Sequence, residues 1–412
     1  MLEVDLLITN INIASMVYPD YNLENHSDKE DTYGAIYHAS VAVTAGKITA
    51  ILTDNQPLIK AKKTIDGAGG WLTPGLIDCH NHLIWGGNRA REFESRLQGV
   101  SYAEISKQGG GIASTVKATR EASDSQLKAL AEQRLSRLMA EGVTSIEIKS
   151  GYGLSLAHEQ RLLTIARELA DENPIHVKTS LLAAHALPPE FANNQAYIDE
   201  ICQNIIPHIA KLGLADAVDV FCEGIGFSVA QCEQVFQCAK AHNLPVKGHV
   251  EQLSDLKGSL LVAKYQGLSA DHIEYLQAVD VPQLKAADTV AVLLPGAFYA
   301  LQERQLPPIA ALRKHRVPMA VATDLNPGTS PQASLRLAMN QACILFGLTP
   351  EESLKGVTCG AAQALGMQAS KGQIKVGYDA DLVLWDIEHP CELSYGVNLV
   401  QPSRVFYLGE QR

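Results

Sequence analysis

Apolar residues follow two different rhythms along the chain. Over roughly the first 60 residues they alternate with polar ones in β-rich runs, "DLLITNINIAS" and "ASVAVTAGKITAIL", the period-2 pattern of half-buried strands. Ala45-Gly46 sits where a hairpin would turn. The C-terminal runs "GQIKVGYDADLVLWDI" and "SRVFYLGE" repeat this character with glycine punctuation. Two β-rich ends around a different middle predict one small sheet domain built from both termini.

The middle alternates short apolar strands with amphipathic helices. Strands are predicted in "GLIDCHNHL" (75–83), "VTSIEIKSG" (143–151), "IHVKTSLLAAHA" (175–186), "AVDVFCE" (217–223), "LPVKGHV" (244–250), "GLSADHIE" (267–274), "TVAVLLPG" (289–296) and "VPMAVATD" (317–324). In "SDSQLKALAEQRLSRLMAEG", Leu127, Leu130, Leu135, Leu138 and Met139 share a helical face, with Ser123 or Asp124 to cap its start and Gly142 to end it. Eight strands alternating with helices predict a (β/α)8 barrel, although a doubly wound open sheet would give a similar series.

Composition narrows the class. A chain of 412 residues, 46% hydrophobic and 19% charged, suits a large barrel with a smaller appendage. Its net charge of −11 argues against nucleic-acid or anionic-membrane partners, while leaving room for an anionic small substrate bound by a local arginine. The start "MLEVDLLITNINIAS" lacks the basic region of a signal peptide, and no apolar run reaches the ~18 residues of a membrane span, so a cytoplasmic protein is expected. Eight cysteines without a CxxC pair read as free thiols.

Barrel chemistry belongs at the carboxyl ends of the strands. Read in order, those ends carry His80 and His82, Lys149, His185, Cys222-Glu223, His249, His272 and Asp324. Residues i and i+2 of a strand point the same way, so His80 and His82 can reach one ion; alone, they could equally be two polar residues at a strand mouth. With His249 and Asp324 they offer three nitrogens and a carboxylate, a set suited to zinc or iron with one position left for water. Arg89, in the loop after the first barrel strand, could bind a carboxylate bidentately or be one more surface arginine. Asn326, Gly328 and Thr329 lie in "DLNPGTSP", a turn sequence whose donors could also hold carboxylates. The glycines at 109–111 could open a helix as a donor loop, and no ligand is assigned to them.

"TPGLIDCHNHL", two later strand-end histidines and an Asp after the eighth strand resemble the amidohydrolase superfamily. Within it, "HLIWGGNRAREFESRLQGVSYAEISKQGGGIASTVKATR", "EIKSGYGL", "AAHALP", "ADHIEYL", "LLPGAFY" and "ATDLNPGTSP" are similar to the imidazolonepropionase family, in order, from about residue 70 to 366. The resemblance implies a metal-bearing (β/α)8 barrel over 66–366 and a small β-sandwich formed by 1–65 and 367–412. It implies His80, His82, His249 and Asp324 as ligands of one Zn2+ or Fe3+ per subunit. The implied reaction is hydrolytic opening of 4-imidazolone-5-propanoate to N-formimidoyl-L-glutamate. In it Asp324 would take a proton from water, His272 would assist the water or the oxyanion, and Gln252 would face the substrate. Arg89, Tyr152, His185, Gln252, Asn326, Gly328 and Thr329 become substrate contacts. A homodimer is a reasonable assembly for a barrel of this size.

Some positions depart from related patterns. The deaminase branch carries His-x-x-Glu as a proton shuttle; here the run is His249-Val250-Glu251-Gln252, whose last residue is an amide. Glu251 should point to the other side of the strand. Val250 and Leu325 replace an alanine and a cysteine common in the family. Binuclear relatives bridge two metals through a lysine or glutamate, which draws attention to Lys149, Cys222 and Glu223. The mononuclear resemblance makes Lys149 an internal ion-pair partner instead. The competing readings are a deaminase or another cyclic-amide hydrolase, and a non-catalytic barrel, which would be expected to have lost its ligands.

Overall fold

The computed structural model describes residues 2–17, 32–53, 59–100, 104 and 109–412. The N-terminal part supplies β1 (Leu2–Ala14), β2 (Ala35–Thr44), β3 (Lys47–Leu52), β4 (Ile59–Asp66) and β5 (Trp71–Pro74). Ala45 and Gly46 both have positive φ, 50° and 74°, the left-handed pair that a two-residue hairpin turn requires.

The middle supplies the barrel: β6 (Leu76–Asp78), β7 (Val143–Lys149), β8 (His176–Ala184), β9 (Ala217–Cys222), β10 (Lys247–Val250), β11 (Ser269–His272), β12 (Val290–Leu293) and β13 (Met319–Val321). They pair in parallel in strict sequence order, β6 through β13. A doubly wound sheet would reverse its order partway. Both faces of these strands are covered, so even their polar residues are enclosed, and every residue of β7, Glu147 and Lys149 included, is buried.

Helix Asp124–Ala140 is capped by Ser123, one of the two candidates the sequence offers, and Gln126 completes a capping box with it. Its buried stripe is Leu127, Ala131, Leu135 and Leu138. Leu130 and Met139 are only half-buried, because the stripe steps by four at Leu127 and Ala131 takes the central place. Glu141 is the C-cap and Gly142 follows it at φ 98°.

β14 (Leu382–Trp385), β15 (Pro402–Tyr407) and β16 (Glu410–Gln411) complete the terminal sheet, ordered β16-β15-β14-β5-β1-β2-β3 with β4 beside β1. Its two ends curl towards each other: Lys47 bridges to Asp379, and Ala380 N donates to Gly46 O at 2.8 Å. Ile8, Val41, Ile48, Leu382 and Phe406 fill the space enclosed. Both termini therefore build one mixed sheet folded around its own core. Because β5 hydrogen-bonds to β1 and β14, this sheet reaches past residue 65, and we place the passage into the barrel at Gly75. Among the described residues, no helix is long and apolar enough to cross a membrane.

The barrel closes between its first and last strands just beyond their carboxyl ends. Asn81 bridges to Leu325, Asp324 N donates to His80 O at 3.0 Å, and His82 N donates to Leu325 O at 3.0 Å. The regular strand β6 thus stops at Asp78, and the two histidines belong to this closing seam rather than to the strand. Buried Asp78 staples the seam by accepting from Thr323 N (3.0 Å), Thr323 Oγ1 (2.6 Å) and Asn81 Nδ2 (2.8 Å). Burial raises its carboxyl to about 6 against the pull of those donors. The folded state then holds this proton more tightly than the unfolded chain, so the stability contributed is full at low pH and falls as pH rises through about 6. Asp78→Ala, which strands three donors, is expected to cost on the order of 3 kcal/mol near pH 5 and less at pH 8. Urea unfolding of both proteins at the two pH values checks this.

Candidate metal centre and substrate cavity

Four imidazoles and a carboxylate converge at the mouth of the barrel. His80 Nε2 and His82 Nε2 each lie 3.4 Å from Asp324 Oδ1, and His249 Nε2 lies 3.3 Å from His82 Nε2. His272 joins His80 and His249 in a second overlapping group. His80 Nε2 has no hydrogen-bond partner among the described residues. Burial holds the His80 and His82 imidazoles well below their ordinary pKa, so both are neutral and present lone pairs. Across 3.3 Å, His82 Nε2 and His249 Nε2 either share a proton or turn two lone pairs towards one cation. Tetrahedral ligand atoms about 2.0–2.1 Å from a metal ion sit about 3.3–3.4 Å apart, which matches these spacings. The cluster therefore fits a metal ion.

Two carboxylates fix the tautomers. His80 Nδ1–H donates to Asp271 Oδ2 at 2.6 Å, and His249 Nδ1–H to Asp219 Oδ1 at 3.2 Å. Each bond turns Nε2 towards the centre, the role such carboxylates have behind metal-bound histidines. Beneath them Lys149 meets Asp219 at 2.5 Å, Glu147 at 3.0 Å and Asp271 at 3.7 Å. Lys247 adds a contact to Glu147 at 2.9 Å. Burial opposes ionisation of Asp219, yet Lys149 and His249 hold its carboxyl well below the usual range. Lys149 is thus an internal ion-pair partner, as expected. With Asp324, this buried layer sets four carboxyl groups against two lysines; burial raises Asp271 and Asp324 above their ordinary range, and a cation beside them would favour their ionised forms.

The cluster opens into a cavity of about 600 Å³ lined by His82, Arg89, Tyr152, His185, His249, Gln252, His272, Asp324, Asn326, Gly328 and Thr329. Every side chain expected from the sequence to touch substrate faces it. Phe221, Ile112, Leu253, Ile225 and Leu301 add an apolar wall that sequence patterning did not single out. Gln252 lines the cavity, whereas Glu251 turns away to accept from Ser259 N at 2.9 Å and from the Ser259 hydroxyl. Glu223 accepts from Leu253 N (2.9 Å) and Ser254 Oγ (2.5 Å), anchoring the loop beside Gln252. Neither Glu223 nor Cys222 belongs to the metal-type groups.

His185 and Tyr152 are held by one loop. His185 Nδ1 lies 2.9 Å from Gly151 O; a carbonyl can only accept, so the proton is on Nδ1 and Nε2 is an acceptor. Burial lowers this imidazole to about 3. Buried Glu159 accepts from Gly151 N, Gly153 N and Leu154 N at 3.0, 2.8 and 2.7 Å, pinning the segment that carries Tyr152. The Tyr152 hydroxyl is raised well above its ordinary pKa by burial and stays protonated. Asn326 Oδ1 accepts from Gly328 N (2.8 Å) and Thr329 N (2.7 Å), so those donors serve the turn itself.

Among the non-glycine residues with left-handed backbone, Glu251 (φ 48°), His272 (80°), Ile273 (64°) and Asp324 (50°) lie at or beside the site. Such conformations cost about 1–3 kcal/mol each and persist where the surroundings impose them. Burial also raises the Asp324 carboxyl above its ordinary range and lowers the His272 imidazole to about 3. If Asp271 orients a metal ligand, Asp271→Asn should lower metal affinity about 10–100-fold while the protein stays folded. Competition titration with a chromogenic chelator reads this directly.

The comparisons with known proteins agree with this geometry. The amidohydrolase family model matches residues 71–411. The imidazolonepropionase of Pseudoalteromonas atlantica is 53% identical over 411 residues, covering 100% of this chain and 99% of the relative. That of Vibrio campbellii is 54% identical, covering 96% and 95%. Among solved structures, a zinc-bound adenosine deaminase from Xanthomonas campestris aligns with TM-score 0.72 at 18% identity, covering 100% of this chain and 93% of that one. An atrazine chlorohydrolase from Arthrobacter aurescens, complexed with zinc, aligns at 0.68 and 16%, covering 98% and 94%. These two share the fold. The chain belongs to the amidohydrolase family and, within it, to the imidazolonepropionases.

Proposed function

We propose that this site hydrolyses the ring amide of 4-imidazolone-5-propanoate, giving N-formimidoyl-L-glutamate. The observation that carries the reading is one cavity with a buried His/Asp cluster and, sharing its wall, a single arginine suited to a carboxylate. His80, His82, His249 and Asp324 would hold one Zn2+ or Fe3+, which supplies a water acidic near neutral pH and polarises a carbonyl.

The chain's own groups account for the remaining steps. Asp324, whose carboxyl is raised by burial, takes the proton from the attacking water. His272 lies close enough to hydrogen-bond the oxygen that gains charge as water adds to the ring carbonyl. The bond from that carbonyl carbon to the ring nitrogen then breaks, and the nitrogen takes up a proton, so the ring opens and the formimidoyl group stays on the other nitrogen of the glutamate product. His185 does not supply this proton, because its Nε2 is a lone pair and its imidazole resists protonation. It accepts a ring N–H instead, while Tyr152 donates and the Gln252 amide hydrogen-bonds the ring. Arg89 pairs with the propanoate. The protein would act as a soluble cytoplasmic enzyme, with a homodimer the simplest assembly.

Gln252 and Glu251 favour ring opening over deamination: the residue facing the cavity is an amide, and the neighbouring acid is bound to Ser259. Turnover of freshly generated 4-imidazolone-5-propanoate, followed by ultraviolet absorbance, is expected for the metal-loaded protein and lost after chelation. Formimidoylglutamate should appear in equal amount. Arg89→Ala should raise KM on the order of 100-fold with a smaller change in kcat, since it removes ground-state binding of the carboxylate. A metal-loaded, folded protein that fails to turn the substrate over would refute the assignment.

A further inference from the structure

We infer that Glu92 sets the position of Arg89, and with it the length of acidic side chain that the site accepts. The inference rests on Arg89 as the partner of the substrate carboxylate. Glu92 is in the first turn of helix Ala90–Leu97, which Arg89 precedes as its N-cap. Its Oε2 accepts from Arg89 Nε at 2.8 Å. The same carboxylate accepts from Ser114 Oγ at 3.0 Å and from Gly111 N at 3.2 Å. It thereby ties the loop after β6 to the start of helix Ile112–Glu121, whose Ile112 lines the cavity. Gly111, at φ 74°, turns its N–H into this contact, which gives the glycine run at 109–111 a role.

The opposite side of the guanidinium lies against Gly328. A Cβ at Gly328 would lie 2.2 Å from Arg89 Nη1, so the absence of a side chain there is what lets the group sit. Arg89 is held at Nε by Glu92 and lies with Nη1 against Gly328. The Nη end is left to pair with a carboxylate inside a cavity that also holds His249 and Asp324. A guanidinium fixed in this way stands at a set distance from the cluster. A propanoate then reaches it with the ring in place, and a chain one methylene shorter does not. Glu92 is a positioning residue in this scheme, since it acts through Arg89.

Electrostatics alone predicts the reverse, because removing a negative charge beside Arg89 would favour an anionic substrate. Kinetics of Glu92→Gln and Glu92→Ala with the propanoate and with its acetate homologue separate the two. Positioning predicts that both variants raise KM for the propanoate on the order of tenfold, with kcat within about threefold, because ground-state binding is what is lost. The preference for propanoate over acetate should fall by a similar factor, and Arg89→Ala/Glu92→Ala should be no worse than Arg89→Ala alone. Unchanged or lower KM in Glu92→Gln, with Arg89→Ala impaired, overturns the inference and leaves Arg89's role standing. An equal further loss from Glu92→Ala on the Arg89→Ala background overturns it too. If Arg89→Ala binds the propanoate normally, the reading of Arg89 falls and the inference falls with it. Should Glu92→Ala not fold, Glu92→Gln decides alone, because its amide keeps the size but has one accepting oxygen where Arg89 Nε and Ser114 Oγ use two.

Discussion

Closure of the barrel between β6 and β13 is the constraint on which the site depends. A parallel sheet of eight strands leaves two edges, and joining them places the segment after the first strand against the segment after the eighth. Here the join consists of backbone bonds between the residues that matter: His80 O accepts from Asp324 N, and His82 N donates to Leu325 O. The side chains contributed by the two ends of the barrel sequence meet because the backbones that carry them are paired. Asp78, buried under the seam, locks the pairing through Thr323 and Asn81.

A second constraint lies one layer deeper. Neutral imidazoles aimed at one point require something to fix their tautomers, and Asp271 and Asp219 do so. Carboxylates this deep require cations, which Lys149 of β7 and Lys247 of β10 supply from across the barrel interior. The barrel interior is therefore an alternation of sign, from lysines through carboxylates to neutral nitrogens, ending at the point where a metal ion fits. Above it the cavity is lined both by apolar residues, Phe221 and Leu253 among them, and by polar ones, Arg89 and Asn326 among them, as suits a flat ring with a charged tail.

Much of this was legible in the sequence, for identifiable reasons. The eight barrel strands were legible as short runs alternating with helices, though their order was not, and the strand ends carry the chemistry, so His80, His82, His249, His272 and Asp324 stand out on reading. The hairpin at Ala45-Gly46 and the Ser123 cap are local and were readable locally. Less visible were features that depend on what lies across the barrel. Asp219, Asp271 and Lys247 are charged residues inside apolar strands, a signal present in "AVDVFCE", "SADH" and "LPVKGHV" but without a partner until the strands are arranged. β5 joins the terminal sheet through pairing with β14, more than 300 residues away, which no window of sequence contains. The place of Ala131 in the buried stripe, in preference to Leu130, is likewise decided by what the helix packs on.

The most direct test of the account is the position of the metal. Anomalous diffraction recorded at the zinc and iron edges from crystals of the active protein locates the ion independently of any assay. The account predicts one peak per subunit, enclosed by the Nε2 atoms of His80, His82 and His249 and by the Asp324 carboxylate. A peak beside Glu223 or Cys222, two peaks in one barrel, or catalytically active crystals with no peak would contradict it.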